Sequence, residues 1–119
     1  MRQVFTNLII NALEALPKDG GVLILRVSDS GDWKDSNSSG VRVTVADTGS
    51  GIAQTHLDRI FSGTFTTKGI KSNGVGLWMA KKMIENQRGS IRVRSRITPR
   101  QSWTCFSVFL PSNPIQFRA

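Results

Sequence analysis

The chain has one cysteine, one histidine and half as many acidic residues as basic ones, 8 against 16. A lone Cys105 excludes an internal disulfide. Its place in the apolar run WTCFSVFL predicts an inert thiol buried in a strand. Long apolar runs are also missing. Leu8, Ile9 and Ile10, or the run from Val22 to Leu25, fall far short of the roughly 18 to 20 residues a membrane-crossing helix needs. Asn7, Asn11 and Glu14 interrupt the N-terminal apolar stretch and no cleavage site follows it, so export is not expected and a cytoplasmic location is. Two common nucleotide signatures are absent as well. There is no G-x-x-x-x-G-K-[ST], and Gly49-Ser50-Gly51 lacks the third glycine of the dinucleotide fingerprint, which argues against a P-loop and a Rossmann site.

What remains is an ordinary globular composition. At 119 residues, 39% apolar and 20% charged, the chain is long enough for one domain with an apolar core and too short for two. That domain is expected over residues 1–111, with 112–119 as a tail. Phe5, Leu8, Ile9, Ala12 and Leu16 follow helical spacing, with Gln3, Asn7, Asn11 and Glu14 on the other stripe. Pro17 and the turn-forming residues 18–21 end that helix. A strand is predicted over residues 22–28, then an exposed loop, DSGDWKDSNSSG, over 29–40. Val41, Val43 and Val45 alternate with Arg42 and Thr44 in a second, half-buried strand.

A short helix over 54–61 precedes a stretch, 62–73, that is rich in Gly, Thr, Lys and Ser and reads as a lid. Leu77, Met79, Ala80, Met83 and Ile84 mark a second long helix, stopped at Arg88-Gly89. Ile91, Val93 and Ile97 alternate with Arg92, Arg94 and Arg96, and a turn over 98–102 leads to a closing strand over 103–110. This order predicts an α+β two-layer sandwich, a mixed but mostly antiparallel sheet with helices on one face.

Three groups of residues invite a chemical reading. Asn7 and Asn11 lie one turn apart, where their carboxamides either face water or turn to one ligand, and Asn11 can offer an oxygen to a hard cation. Asp47, at the end of a strand and followed by Gly49 and Gly51, is either a turn residue or the acceptor for an exocyclic amine such as that of adenine. The missing Cβ atoms of those glycines would let backbone approach a planar ligand. Gly74-Val75-Gly76-Leu77 is either a linker or the start of a helix whose free amides receive phosphate, with Lys68 and Lys71 upstream to add charge.

Taken together, these segments resemble the sensor histidine kinase branch of the Bergerat-fold ATPases, the fold shared with DNA gyrase, MutL and the large heat-shock chaperone. NLIINALEAL from Asn7 is similar to that family's N box and VADTGSGI, ending at Ile52, to its G1 box. IFSGTFTTK from Ile60 is similar to its F box and NGVGL, ending at Leu77, to its G2 box. The resemblance implies ATP with Mg2+ as ligand: Asn11 on the magnesium, Asp47 on the adenine amine, and Gly49, Gly51 and Ile52 around the base. It implies Gly74, Val75, Gly76 and Leu77 under the phosphates. Phe61, Phe65, Thr66, Thr67 and Lys68 would belong to a lid. Ser72 stands where a first G2 glycine is often found, and Gly63-Thr64 replaces the Pro-Phe of many F boxes. Glu14 takes a place where many relatives carry lysine, so Lys68 is expected to supply the missing phosphate charge.

Asn7 stands where the gyrase and chaperone branches carry a glutamate that activates water. A carboxamide is no general base, so the resemblance implies ATP held for an outside nucleophile. In this family the nucleophile is a histidine on a separate helical dimerisation domain, which passes the phosphoryl group to a response regulator. His56, between the G1 and F boxes, is expected to be a surface helix residue, and the donor histidine to lie on another part of the polypeptide or another chain. An anti-sigma-factor serine kinase of the same fold is the nearest alternative. The net charge of +8, with Arg92, Arg94, Arg96 and Arg100 on one hairpin, raises nucleic-acid binding. No aromatic ladder interleaves those arginines, which argues against it.

Overall fold

Alternation of apolar and polar residues builds a four-stranded sheet in the computed structural model, which describes residues 2–31, 39–62 and 74–112. The elements run α1 (Arg2–Ala15), β1 (Leu23–Gly31), β2 (Ser39–Asp47), α2 (Gln54–Leu57), α3 (Gly74–Asn86), β3 (Ser90–Arg96) and β4 (Trp103–Pro111). The sheet order is β1-β2-β4-β3. The expected α+β sandwich is present, but all three strand pairs among the described residues are antiparallel, so the sheet there is not mixed.

Register divides the side chains between two faces. Val41, Val43 and Val45 share the inner face with Thr104, Phe106, Val108 and Leu110 of β4 and with Ile91, Val93 and Ser95 of β3. Val4, Leu8 and Ala12 of α1 and Ala80 and Ile84 of α3 bury against this face with Ile60. Phe61 meets Phe106 edge to face, ring centroids 6.4 Å apart, and the Lys81 ammonium lies 5.3 Å from the Phe61 ring. Leu25 and Val27, on the inner side of the edge strand β1, stay 55% and 69% exposed, so the helices do not reach that end of the sheet.

The structure corrects several sequence expectations. The β1–β2 ladder continues to Gly31 opposite Ser39, because backbone pairing does not require apolar side chains; the expected loop over 29–40 shrinks accordingly. The first helix starts at Arg2 and buries Val4, while Ile9 is only half-buried. Met79 falls off the core stripe and is 42% exposed, since positions 80 and 84 already define the buried line of α3. The short helix ends at Leu57 rather than at 61. Ile97 lies beyond the end of β3 and is exposed. Cys105 is not in the core: its parity puts it on the face turned away from α1 and α3, half-buried, with Sγ 4.0 Å from the Ser107 hydroxyl. Ser112 still donates its amide to the Ser39 carbonyl at 2.9 Å; the rest of the expected tail, 113–119, lies outside the described residues.

Polar groups at one end of the inner face fix the loop that follows β2. Ser95 and Thr104 are both buried, with hydroxyls 2.8 Å apart. Ser95 Oγ also donates to the Trp103 carbonyl at 2.7 Å and accepts the Ile52 amide at 2.7 Å. With the single Ser95 proton spent on Trp103, Thr104 is the donor to Ser95. The Gln54 side-chain amide adds a bond to the Ser95 carbonyl at 3.4 Å.

Two substitutions test this packing. Leu8→Ala is expected to lower unfolding free energy by about 2–5 kcal/mol in urea titration, because Leu8 is fully buried where α1 meets the sheet. Ser95→Ala is expected to cost about 1–3 kcal/mol by the same measurement, since it leaves the Ile52 amide and the Thr104 hydroxyl without their acceptor.

Candidate functional site

Asp47 closes β2, between Leu23 of β1 and Thr104 of β4, and is only 5% exposed. A carboxylate this buried needs donors. One is the Gly49 amide, which meets Asp47 Oδ1 at 2.8 Å in the short turn expected of Asp-Thr-Gly. Thr48 ties the same turn to β1: its hydroxyl accepts the Val22 amide at 2.9 Å, and its own amide donates to the Val22 carbonyl at 3.1 Å.

The two glycines also have packing reasons that the sequence did not show. A Cβ on Gly49 would run into the carbonyl of Ala15 and come within 2.6 Å of its carbon, so the missing side chain lets the loop lie on the end of α1. The Ser50 amide then bonds the Ala15 carbonyl at 3.1 Å. Gly51 has φ +77°, in the left-handed region glycine favours, and a Cβ there would sit 2.8 Å from Ile97 Cγ1. Protein atoms, not open space, fill both directions. The glycines shape the loop first, and through it any cavity beside Asp47. Ile52, the next residue, is half-buried against the core.

Helix α1 links this loop to the start of α3. Asn7 donates its side-chain amide to the Gly76 carbonyl at 3.4 Å and accepts one from Gln3 at 3.3 Å. Asn11, one turn on, is half-buried on the same stripe. The helix expected at Gly74-Val75-Gly76-Leu77 opens at Gly74; Gly76 is buried and Leu77 packs on the core. Asn7 and Asn11 therefore line the polar side of α1, with Gly76 beside Asn7 and the loop after β2 at the helix's C-terminal end. Phe65, Thr66, Thr67, Lys68 and Lys71 lie outside the described residues. His56, expected at the surface, is half-buried on α2.

Sequence reasoning overlooked Ser95 and Thr104, which hold the loop without belonging to any quoted motif, and gave Thr48 of VADTGSGI no role of its own. A signal existed. Ser95 and Thr104 are hydroxyls at inward positions of strands otherwise apolar on that side, at the height of Asp47. Among the described residues no cluster of His, Cys, Asp or Glu is placed to hold a metal ion, and no helix is long and apolar enough to cross a membrane.

The chain matches the model of the histidine kinase-, DNA gyrase B- and HSP90-like ATPases over residues 1–114. It is 35% identical to the sensor histidine kinase ZraS of Escherichia coli (strain K12) over 95% of its own length and 22% of that protein. With sporulation kinase A of Bacillus subtilis (strain 168) the identity is 39%, over 93% of this chain and 16% of the relative. The chain thus spans about a fifth of the length of the curated relatives it matches. Among solved structures, the nucleotide-free catalytic domain of the histidine kinase ThkA superposes with a TM-score of 0.70 at 30% identity, covering 96% of this chain and 67% of that one. With a buried aspartate at the exit of β2, a polar stripe on α1 and a glycine-bearing start to α3 in the matched order, the chain belongs to the histidine kinase-, DNA gyrase B- and HSP90-like ATPase family and is an ATP-binding domain of it.

Proposed function

We propose that this chain is the catalytic ATP-binding part of a sensor histidine kinase. It holds ATP with Mg2+ and offers the terminal phosphoryl group to a histidine on a separate helical dimerisation domain, from which a response regulator is served. Residues 1–111 form the ATP-binding unit, on the cytoplasmic side where ATP is available. The observation that carries the reading is the bond from Asn7 to the Gly76 carbonyl, which seats the polar stripe of α1 against the start of α3. Relatives named as sensor histidine and sporulation kinases support it.

In this reading Asp47 accepts the adenine amine, held rigid by the Gly49 amide and by its buried position. Gly49, Gly51 and Ile52 form the wall beside the base. Asn11 would offer magnesium one neutral oxygen, a hard donor that suits this cation and needs no carboxylate cluster beside it. Bound there, the ion neutralises phosphate charge. The first amides of α3, at Gly74, Val75, Gly76 and Leu77, face the phosphates with the positive end of the helix dipole behind them. Phe65, Thr66 and Thr67 close over the nucleotide and Lys68 adds a cation; a closed lid excludes water.

Asn7 contributes by position. Its amide is engaged with Gly76, and a carboxamide takes no proton from water, so nothing at this place promotes hydrolysis. The reading gives His56, half-buried on α2, no part in ATP binding, and the isolated chain is not expected to phosphorylate itself.

Calorimetric titration with Mg-ATP is expected to show binding between micromolar and millimolar. Asp47→Asn is expected to weaken it at least tenfold, about 1.4 kcal/mol, and unchanged affinity would falsify the adenine assignment. For Asn11→Ala, affinity with magnesium should fall to the value measured in chelator, while affinity in chelator stays the same. Lys68→Ala should lower both ATP affinity and transfer to a supplied histidine domain; if neither moves, Glu14 is not compensated by Lys68.

A further inference from the structure

The face of the sheet turned away from α1 and α3 carries a charge pattern that the proposed nucleotide site does not use. Outward positions on it include Arg26 of β1, Arg42 of β2 and Arg92, Arg94 and Arg96 of β3, and no strand position on this face among the described residues is Asp or Glu. On β3 every outward position from 92 to 96 is an exposed arginine. Alternate residues of a strand are spaced about 6.6–6.8 Å apart. The guanidinium groups thus stem from a row with the repeat of alternate side chains on another extended strand. β3 also ends the sheet, pairing only with β4 among the described residues.

We propose that β3 and its arginine row are a docking strip for an extended acidic segment of a partner protein, one that carries carboxylates at alternate positions. A strand laid along β3 gains main-chain hydrogen bonds from the sheet edge, and its carboxylates face forked guanidinium groups suited to bidentate pairing. Charged residues commonly guard sheet edges against aggregation, and this row does repel a second copy of itself. One charge suffices for a guard, whereas here the run is continuous and Arg26 and Arg42 extend the same field across the sheet. Nucleic acid fits less well, since Trp103 is the only partly exposed aromatic residue among the described strand positions of this face and stacking needs a series. A lipid surface could use the charge but not the strand edge. The inference is independent of the nucleotide reading.

The test is fluorescence anisotropy at physiological salt with a labelled peptide alternating Glu and Thr. Comparators are a peptide of the same composition with its Glu residues in one block, a Gln-Thr peptide, a single-stranded oligonucleotide and phosphatidylserine vesicles. The alternating peptide is expected to bind at least tenfold more tightly than the blocked one and not to be displaced by vesicles. Arg92→Gln/Arg94→Gln/Arg96→Gln should abolish that preference while the urea midpoint and Mg-ATP affinity stay as in the parent. Should the triple variant fail to fold, Arg94→Gln alone is expected to weaken binding several-fold. Equal binding of alternating and blocked peptides, tighter binding of the oligonucleotide, displacement by vesicles, or unchanged binding by the folded variants would each overturn the proposal.

Discussion

The contact between the end of α1 and the loop after β2 is the constraint on which the rest of the site depends. Ser50 bonds the Ala15 carbonyl, and Gly49 must lack a side chain for the loop to come that close. Since Asp47 lies two residues before Gly49 and receives its amide, the position of a helix end decides where a buried carboxylate points. The same helix reaches the start of α3 through Asn7 and buries Leu8 in the core. One element is thus anchored by apolar packing on one stripe and by hydrogen bonds on the other, and a shift along its axis would disturb the loop after β2 and the start of α3 together.

Much of the fold was legible because it rests on period. Valines at 41, 43 and 45 and arginines at 92, 94 and 96 declared their faces, and the inward residues of β4 matched them in register. Period also misled. Cys105 sits in an apolar run yet is only half-buried, while Phe109 on the same face of β4 is fully buried, so neither the run nor parity alone fixed burial. Met79 fits a loose helical count but lies to one side of the line through 80 and 84. Pairing over residues 29–31 was invisible because Asp, Ser and Gly signal a turn, while the ladder that includes them is made by backbone groups every residue carries.

The candidate site was legible as motifs and less so as mechanics. Asp47 closes β2, Asn7 lies on the polar stripe of α1 and Gly76 in the first turn of α3, and the resemblance, not periodicity, is what suggests roles for them. The packing reasons for the glycines were hidden, because a missing side chain in sequence does not say which protein atoms fill its place; at Gly49 and Gly51 they are the end of α1 and Ile97. Ser95 and Thr104 escaped notice because hydroxyl residues in strands are common, and only the third dimension shows two of them meeting beside one loop amide.

Ser95 stands in sequence between Arg94 and Arg96, and its hydroxyl grips the Ile52 amide on the opposite side of the sheet. Loop and strand therefore share one fastening. A pull on Ile52 is borne by the peptide units that flank it in β3, and a load applied to the arginine row returns along the same path to the residues behind Asp47. With only one strand between them, a substitution at Ser95 touches both faces of the sheet at once.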